Sequence, residues 1–140
     1  MKPILVFCMT TVMCMTLQAE SPALRVGILT DSASEFWTAL KEAAAAEAGA
    51  QGLELDFRMP APATAEQQEV LALQTLESGV KALAICPVKP KEQRDFLTEI
   101  SAKTALATLY TDAPGTGQRL FLGRNENEVG SLYGALVKTA

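Results

Sequence analysis

The run Leu24–Leu29, apolar except for Arg25, constrains this chain more than any other stretch. A run without polar alternation reads as a strand covered on both faces, as inside a parallel sheet. The polar residues from Thr30 to Glu35 then form a turn. Phe36, Trp37, Leu40 and Ala44 recur at helical spacing, so the chain passes from strand through loop to helix. In open α/β sheets the loop at the carboxyl end of a strand is where ligands bind.

The rest of the chain repeats this unit. An alanine-rich run extends the helix to Ala48, where Gly49 is placed to end it as a left-handed cap. Leu53, Leu55 and Phe57 alternate with Glu54, Asp56 and Arg58, which predicts an edge strand with one wet face. After the proline-rich loop over 59–63, Thr64 and Gln67 have capping-box spacing, and Val70, Leu73 and Leu76 predict the buried stripe of a helix stopped by Gly79. Val80–Cys86 is a solid apolar run that Pro87 terminates, hence a third, interior strand. Pro90 suits a first helical turn, and Phe96, Leu97 and Ile100 mark an inward face running to about Lys103. A fourth strand, Ala105–Tyr110, leads to Thr111 and Asp112 and a turn rich in proline and glycine. Leu120–Leu122 is a short fifth strand. A polar connection over 123–128 precedes a last helix carrying Val129, Leu132, Tyr133 and Leu136. Five strands alternating with four helices give an α/β, doubly wound parallel sheet, and the alternation in the second strand places it outermost, in the order 2-1-3-4-5.

Residues 1–19 stand apart. Lys2 supplies a minimal positive n-region, Ile4 to Leu17 is mostly apolar, and Gln18-Ala19 offers the small residue at which signal peptidase cuts. The expectation is a secretory signal over 1–19, with a retained membrane anchor as the alternative, and one exported domain over 20–140, with no membrane insertion after cleavage. Cys14 raises lipidation as an alternative, against which Met13 stands where a small residue is required. Removing 1–19 leaves eleven basic against sixteen acidic side chains and a single cysteine, Cys86, so an internal disulfide is excluded. Lysine and arginine form no cluster on a chain of net charge −4, so nucleic acid is not an expected partner. The chain has no histidine. A serine-histidine triad and a histidine-activated Cys86 are therefore impossible, and a zinc site is not expected. Gly115–Leu120, GTGQRL, lacks the third glycine of a dinucleotide fingerprint and leads into a strand. No cofactor, metal or catalytic set is expected.

VGIL, a polar loop, FWTALKEA, an acidic alternating strand, QQEVLALQTLESGVKALAICP, LYTDAP and FLGRNENEVG, taken in that order, resemble the first lobe of ribose-type periplasmic sugar-binding proteins. These are the soluble receptors of ABC importers. The resemblance runs from about Leu24 to the end, strongest in Phe36-Trp37, in Gln68–Pro87 and at Asp112. It implies a single lobe of a type I periplasmic binding protein fold, a sugar-like ligand held between two lobes, and the membrane subunits of an importer as partners. By position, Phe36 and Trp37 supply an apolar platform, Ser34 stands where the family often has asparagine, and Asp112 matches an aspartate that accepts bonds from sugar hydroxyls. Two departures are plain. Ala113 replaces the arginine frequent in ribose binders, and Gly123, Arg124, Asn125, Glu126 replace a glycine, threonine, aspartate, asparagine run.

A sugar has C–H groups on its ring faces and hydroxyls at its rim, so a site needs an aromatic surface and ionised acceptors around it. Competing roles attach to each candidate. Phe36 and Trp37 are adjacent and cannot share a helix face, so one is expected inside and the other at the cleft. Asp31 either caps the helix or touches ligand; Ser32 and Ser34 are caps or contacts. Asp112 either holds its own turn or meets the ligand, and Asn125 is a contact or a solvated loop residue. With no second set of strands, the 140 residues are expected to be a fragment that binds weakly alone. Alternatives are a sensory receptor or a repressor's ligand-sensing domain, although the latter would open on a basic helix-turn-helix.

Overall fold

The computed structural model describes residues 23–124 and 126–139; the expected signal peptide and Asn125 lie outside the described residues. The elements are β1 (Leu24–Leu29), α1 (Glu35–Ala50), β2 (Leu53–Arg58), α2 (Ala65–Glu77), β3 (Ala82–Ile85), α3 (Arg94–Lys103), β4 (Ala105–Leu109), β5 (Leu120–Leu122) and α4 (Glu126–Thr139). All strand pairings are parallel and the order is β2-β1-β3-β4-β5. Right-handed crossovers then set α1 on one face and α2 and α3 on the other.

Register explains the two faces. Leu29, Ile85 and Thr108 lie side by side, as do Gly27, Leu83 and Leu106. These rows are buried with Ala72 of α2 and Leu97 and Ile100 of α3. Gly27 is required there, because a Cβ would come within 2.6 Å of Thr75 Cγ2 and prevent α2 from approaching the sheet. On the opposite face the row Val26, Ala82, Ala105 and the row Ile28, Ala84, Ala107 are only half-buried. Leu53, Leu55 and Phe57 join that face, over which α1 packs. Their alternates close the edge against α2 with polar bonds. Arg58 pairs with Asp56 at 2.8 Å and donates to Gln74 at 3.0 Å, and Ser78 donates to Asp56 at 3.0 Å.

Four expectations are corrected. Helix α1 continues through Gly49 to Ala50, and the left-handed residue is Gly52 (φ +67°), three positions later. The buried stripe of α2 is Ala65, Gln68, Ala72 and Thr75, whereas Val70 and Leu73 face water. The expected strand over Val80–Cys86 is a regular strand only from Ala82 to Ile85, although the Lys81 and Cys86 amides also donate to the Arg25 and Leu29 carbonyls of β1. Helix α4 begins at Glu126, inside the expected polar connection, and its Leu132, Tyr133 and Leu136 are exposed. No helix among the described residues is long and apolar enough to cross a membrane.

Candidate functional site

Three strands deliver their carboxyl ends to one region. Past β1, the loop is held by its own bonds: the Thr30 hydroxyl donates to the Ser32 carbonyl at 2.7 Å, and Ser34 caps α1 by accepting from the Trp37 amide at 3.4 Å. Ser34 is thus a helix cap. Asp31 is not one: its Oδ1 accepts from the Ser32 hydroxyl at 2.9 Å and from the Trp37 indole Nε1–H at 2.7 Å. Two donors on one oxygen fix this carboxylate in place before any ligand arrives.

The adjacent aromatics divide as helix geometry demands. Trp37 is 5% exposed and belongs to the buried face, while Phe36 is 60% exposed. Their rings meet edge to face, 4.9 Å apart, so Trp37 backs Phe36 from below. The indole is a support for the site and the phenyl its surface. Tyr110, at the end of β4, places its ring 6.5 Å from Phe36 at a tilt of 53°. Asp31, Ser32, Phe36, Trp37 and Tyr110 together line a cavity of about 290 Å³. Ser32, read from sequence as a cap or a contact, is among its lining, and Tyr110 is the member that sequence reasoning did not place there. For Tyr110 the one signal was its position between an apolar strand and the polar Thr111-Asp112 pair.

Asp112 does not line this cavity. It is exposed, and its Oδ1 accepts from the Ala113 amide at 2.8 Å and from Gln118 Nε2 at 2.5 Å. Gln118 is held in turn by the Thr116 hydroxyl at 3.1 Å. Asp112 therefore organises the loop that follows β4, on the same end of the sheet as Asp31.

Beneath the loops lies a buried glutamine. Gln68, fully buried, donates through Nε2 to the carbonyls of Thr30 at 2.8 Å and Cys86 at 2.7 Å. Its Oε1 accepts from the Val88 amide and from Gln93 Nε2, each at 3.1 Å. One side chain thereby ties the ends of β1 and β3 to the approach of α3, and every hydrogen-bonding group it has is used. Cys86 sits at the same level, fully buried, with Sγ 3.9 Å from the Thr111 hydroxyl. Burial, reinforced by the nearby Asp31 charge, pushes its thiol up to about 11, so it is protonated at neutral pH and is no nucleophile. Among the described residues no His, Cys, Asp or Glu cluster could hold a metal ion.

A larger groove, about 580 Å³, runs along the outer edge of the sheet past Arg25, Lys41, Glu54 and Phe57. It reaches the amino ends of β1 and β2, where Arg25 and Glu54 are paired with each other at 2.5 Å, rather than the loops after the strands. The smaller cavity, with its aromatic corner and fixed carboxylate, is the better candidate for recognition.

A family model described as the periplasmic binding protein domain matches residues 26–140. The chain belongs to that family. The periplasmic binding protein lobe is also similar to solved structures. An ABC transporter solute-binding protein from Mycobacterium smegmatis, with bound glycerol, is 30% identical at a TM-score of 0.66, covering 79% of this chain and 38% of that one. A second, from Burkholderia graminis in complex with D-arabinose, is 17% identical at a TM-score of 0.74 over 83% of this chain and 40% of the other. A glucose-galactose binding protein from Geobacillus stearothermophilus is 19% identical at a TM-score of 0.74 over 84% and 42%. The last two likenesses establish the fold alone. The lobe spans about two fifths of the length of these proteins. No curated protein matches the chain. The family is one of solute-binding rather than catalytic proteins and is extracytoplasmic, which accords with the resemblance read from Phe36-Trp37, Gln68–Pro87 and Asp112.

Proposed function

We propose that this chain is the ligand-recognising first lobe of an exported solute-binding protein that captures a sugar or similar small polyol for an ABC importer. One observation carries the reading: the cavity at the carboxyl end of the sheet joins two exposed aromatic rings to a carboxylate already oriented by Trp37 and Ser32. The rings suit the C–H face of a sugar, and Asp31 with Ser32 suits hydroxyls at its rim. Phe36 is the platform, Trp37 its support, and Asp31 the principal acceptor. Ser34 and Asp112 act in the supporting loops, Asp112 through the bonds that shape the turn after β4, and Asn125 is a proposed ligand contact. Export through a signal over residues 1–19 brings the lobe to the compartment where its importer's membrane subunits collect ligand.

One lobe covers one face of a ligand, so the affinity of these 140 residues alone is weak, in the millimolar range or weaker at about −4 kcal/mol. The test exploits the single tryptophan of the chain. Its indole N–H gives one nuclear magnetic resonance signal, reporting directly on the Asp31 carboxylate. Titration with D-arabinose, D-galactose and myo-inositol is expected to move that signal in a saturable way, and D31A to abolish the movement. An indole signal indifferent to every sugar and polyol would sink the proposal.

A further inference from the structure

We infer that Tyr110 is a specificity-determining residue of this cavity, selecting ring-shaped polyols over open-chain ones; the inference rests on the carbohydrate reading above. Tyr110 is the one non-glycine residue with positive φ (+59°) among the described residues. The Thr111 amide donates to the Leu109 carbonyl, two residues back, at 2.5 Å, so Tyr110 is the centre of a γ-turn of the uncommon positive-φ kind. Its own amide donates to the Leu122 carbonyl at 2.8 Å, which pins the turn to β5. A tyrosine in this backbone region is strained by about 1–3 kcal/mol, whereas glycine adopts it freely.

Burial does not offset that strain, because the side chain is 59% exposed. What the turn achieves is direction: it sets the ring against the cavity, 6.5 Å from Phe36 and tilted 53° to it. Two rings so inclined form a concave corner whose remaining walls are Asp31, Ser32 and Trp37. A pyranose or cyclitol has a continuous C–H face to lay in such a corner while its rim hydroxyls reach the carboxylate. An open-chain polyol such as glycerol has no face to offer, so it gains the polar contacts without the aromatic ones. The backbone strain at Tyr110 thus marks a residue held for recognition.

The test compares the wild-type protein with Y110G and Y110F, using D-galactose, myo-inositol and glycerol as probes, read by the Trp37 indole resonance and by thermal melting. Y110G is expected to weaken the two cyclic probes roughly tenfold while leaving glycerol unchanged. Its melting temperature is expected to rise by roughly 4–8 °C as the strain is relieved. Y110F, which keeps the ring, is expected to bind all three probes within about threefold of wild type. A melting temperature that falls in Y110G would make the ring a structural element and overturn the inference. So would unchanged affinity for the cyclic probes, or an equal loss for glycerol. If the wild type binds none of the three, the carbohydrate reading fails and the ligand assigned to Tyr110 fails with it; the melting comparison still decides separately whether the turn is strained.

Discussion

Trp37 and Asp31 form the smallest unit of the site, and each depends on the other. The indole is buried, so its N–H must find an acceptor, and Asp31 provides one at 2.7 Å while gaining a fixed orientation. Trp37→Phe keeps most of the apolar volume but removes the donor and leaves a gap. It is expected to destabilise the lobe by about 2 kcal/mol, read from urea unfolding. Asp31→Asn retains an acceptor oxygen for the indole, so its effect on unfolding is expected to be less than half as large while the charge offered to a ligand is lost. Equal destabilisation by both variants would show that the charge, rather than the hydrogen bond, holds the pair. That only one of the two adjacent rings turns inward was legible, but not which: Leu40 lies on the helical rows of both Phe36 and Trp37, and the partial burial of Ala44 and burial of Ala48 on the Trp37 row are seen only in the fold. Tyr110 was not legible as a site residue, because its direction follows from a positive φ that a tyrosine does not advertise.

Helix α2 shows why the strand order could be read from residue patterns while one helix face could not. The solid runs in β1, β3 and β4 and the alternation in β2 reflect burial on two faces against one, and the order β2-β1-β3-β4-β5 follows directly. In α2, apolarity points to Val70 and Leu73, yet the inward row holds Gln68 and Thr75. Polar residues were counted as outward, but Gln68 is inside because the carbonyls of Thr30 and Cys86 need donors where no strand supplies them. Similarly, Gly49 continues α1 because Ala50 still favours helix and Gly52 is available to turn the chain. Gln68→Leu would leave two carbonyls and two N–H donors without partners. We expect it to cost about 3 kcal/mol or more in urea unfolding, and a cost below about 1 kcal/mol would mean the loops do not depend on this side chain.

At the edge of the sheet one carboxylate links stability of the lobe to acid. Arg58 and Ser78 hydrogen-bond the Asp56 carboxylate and hold it below the usual carboxylate range, against the opposing effect of partial burial. A depressed native value stabilises the fold above the unfolded value of about 3.9, and that contribution is lost as pH falls below it through the native value. Asp56→Asn is therefore expected to lower stability by about 1 kcal/mol at pH 7 and to flatten the decline in melting temperature below pH 4. A variant whose acid profile parallels the wild type would assign the decline to other carboxylates. The two sides of the sheet are unequal throughout. One is closed by α2 and α3, while the other carries rows of alanine only half-buried, and Leu132, Tyr133, Leu136 and Val137 of α4 stand exposed. The 140 residues carry a formal charge of −4, and like-charge repulsion opposes association of copies through such a surface. Mild acid or abundant salt weakens that repulsion while leaving apolar contact intact, so these 140 residues on their own are expected to scatter light before their melting transition.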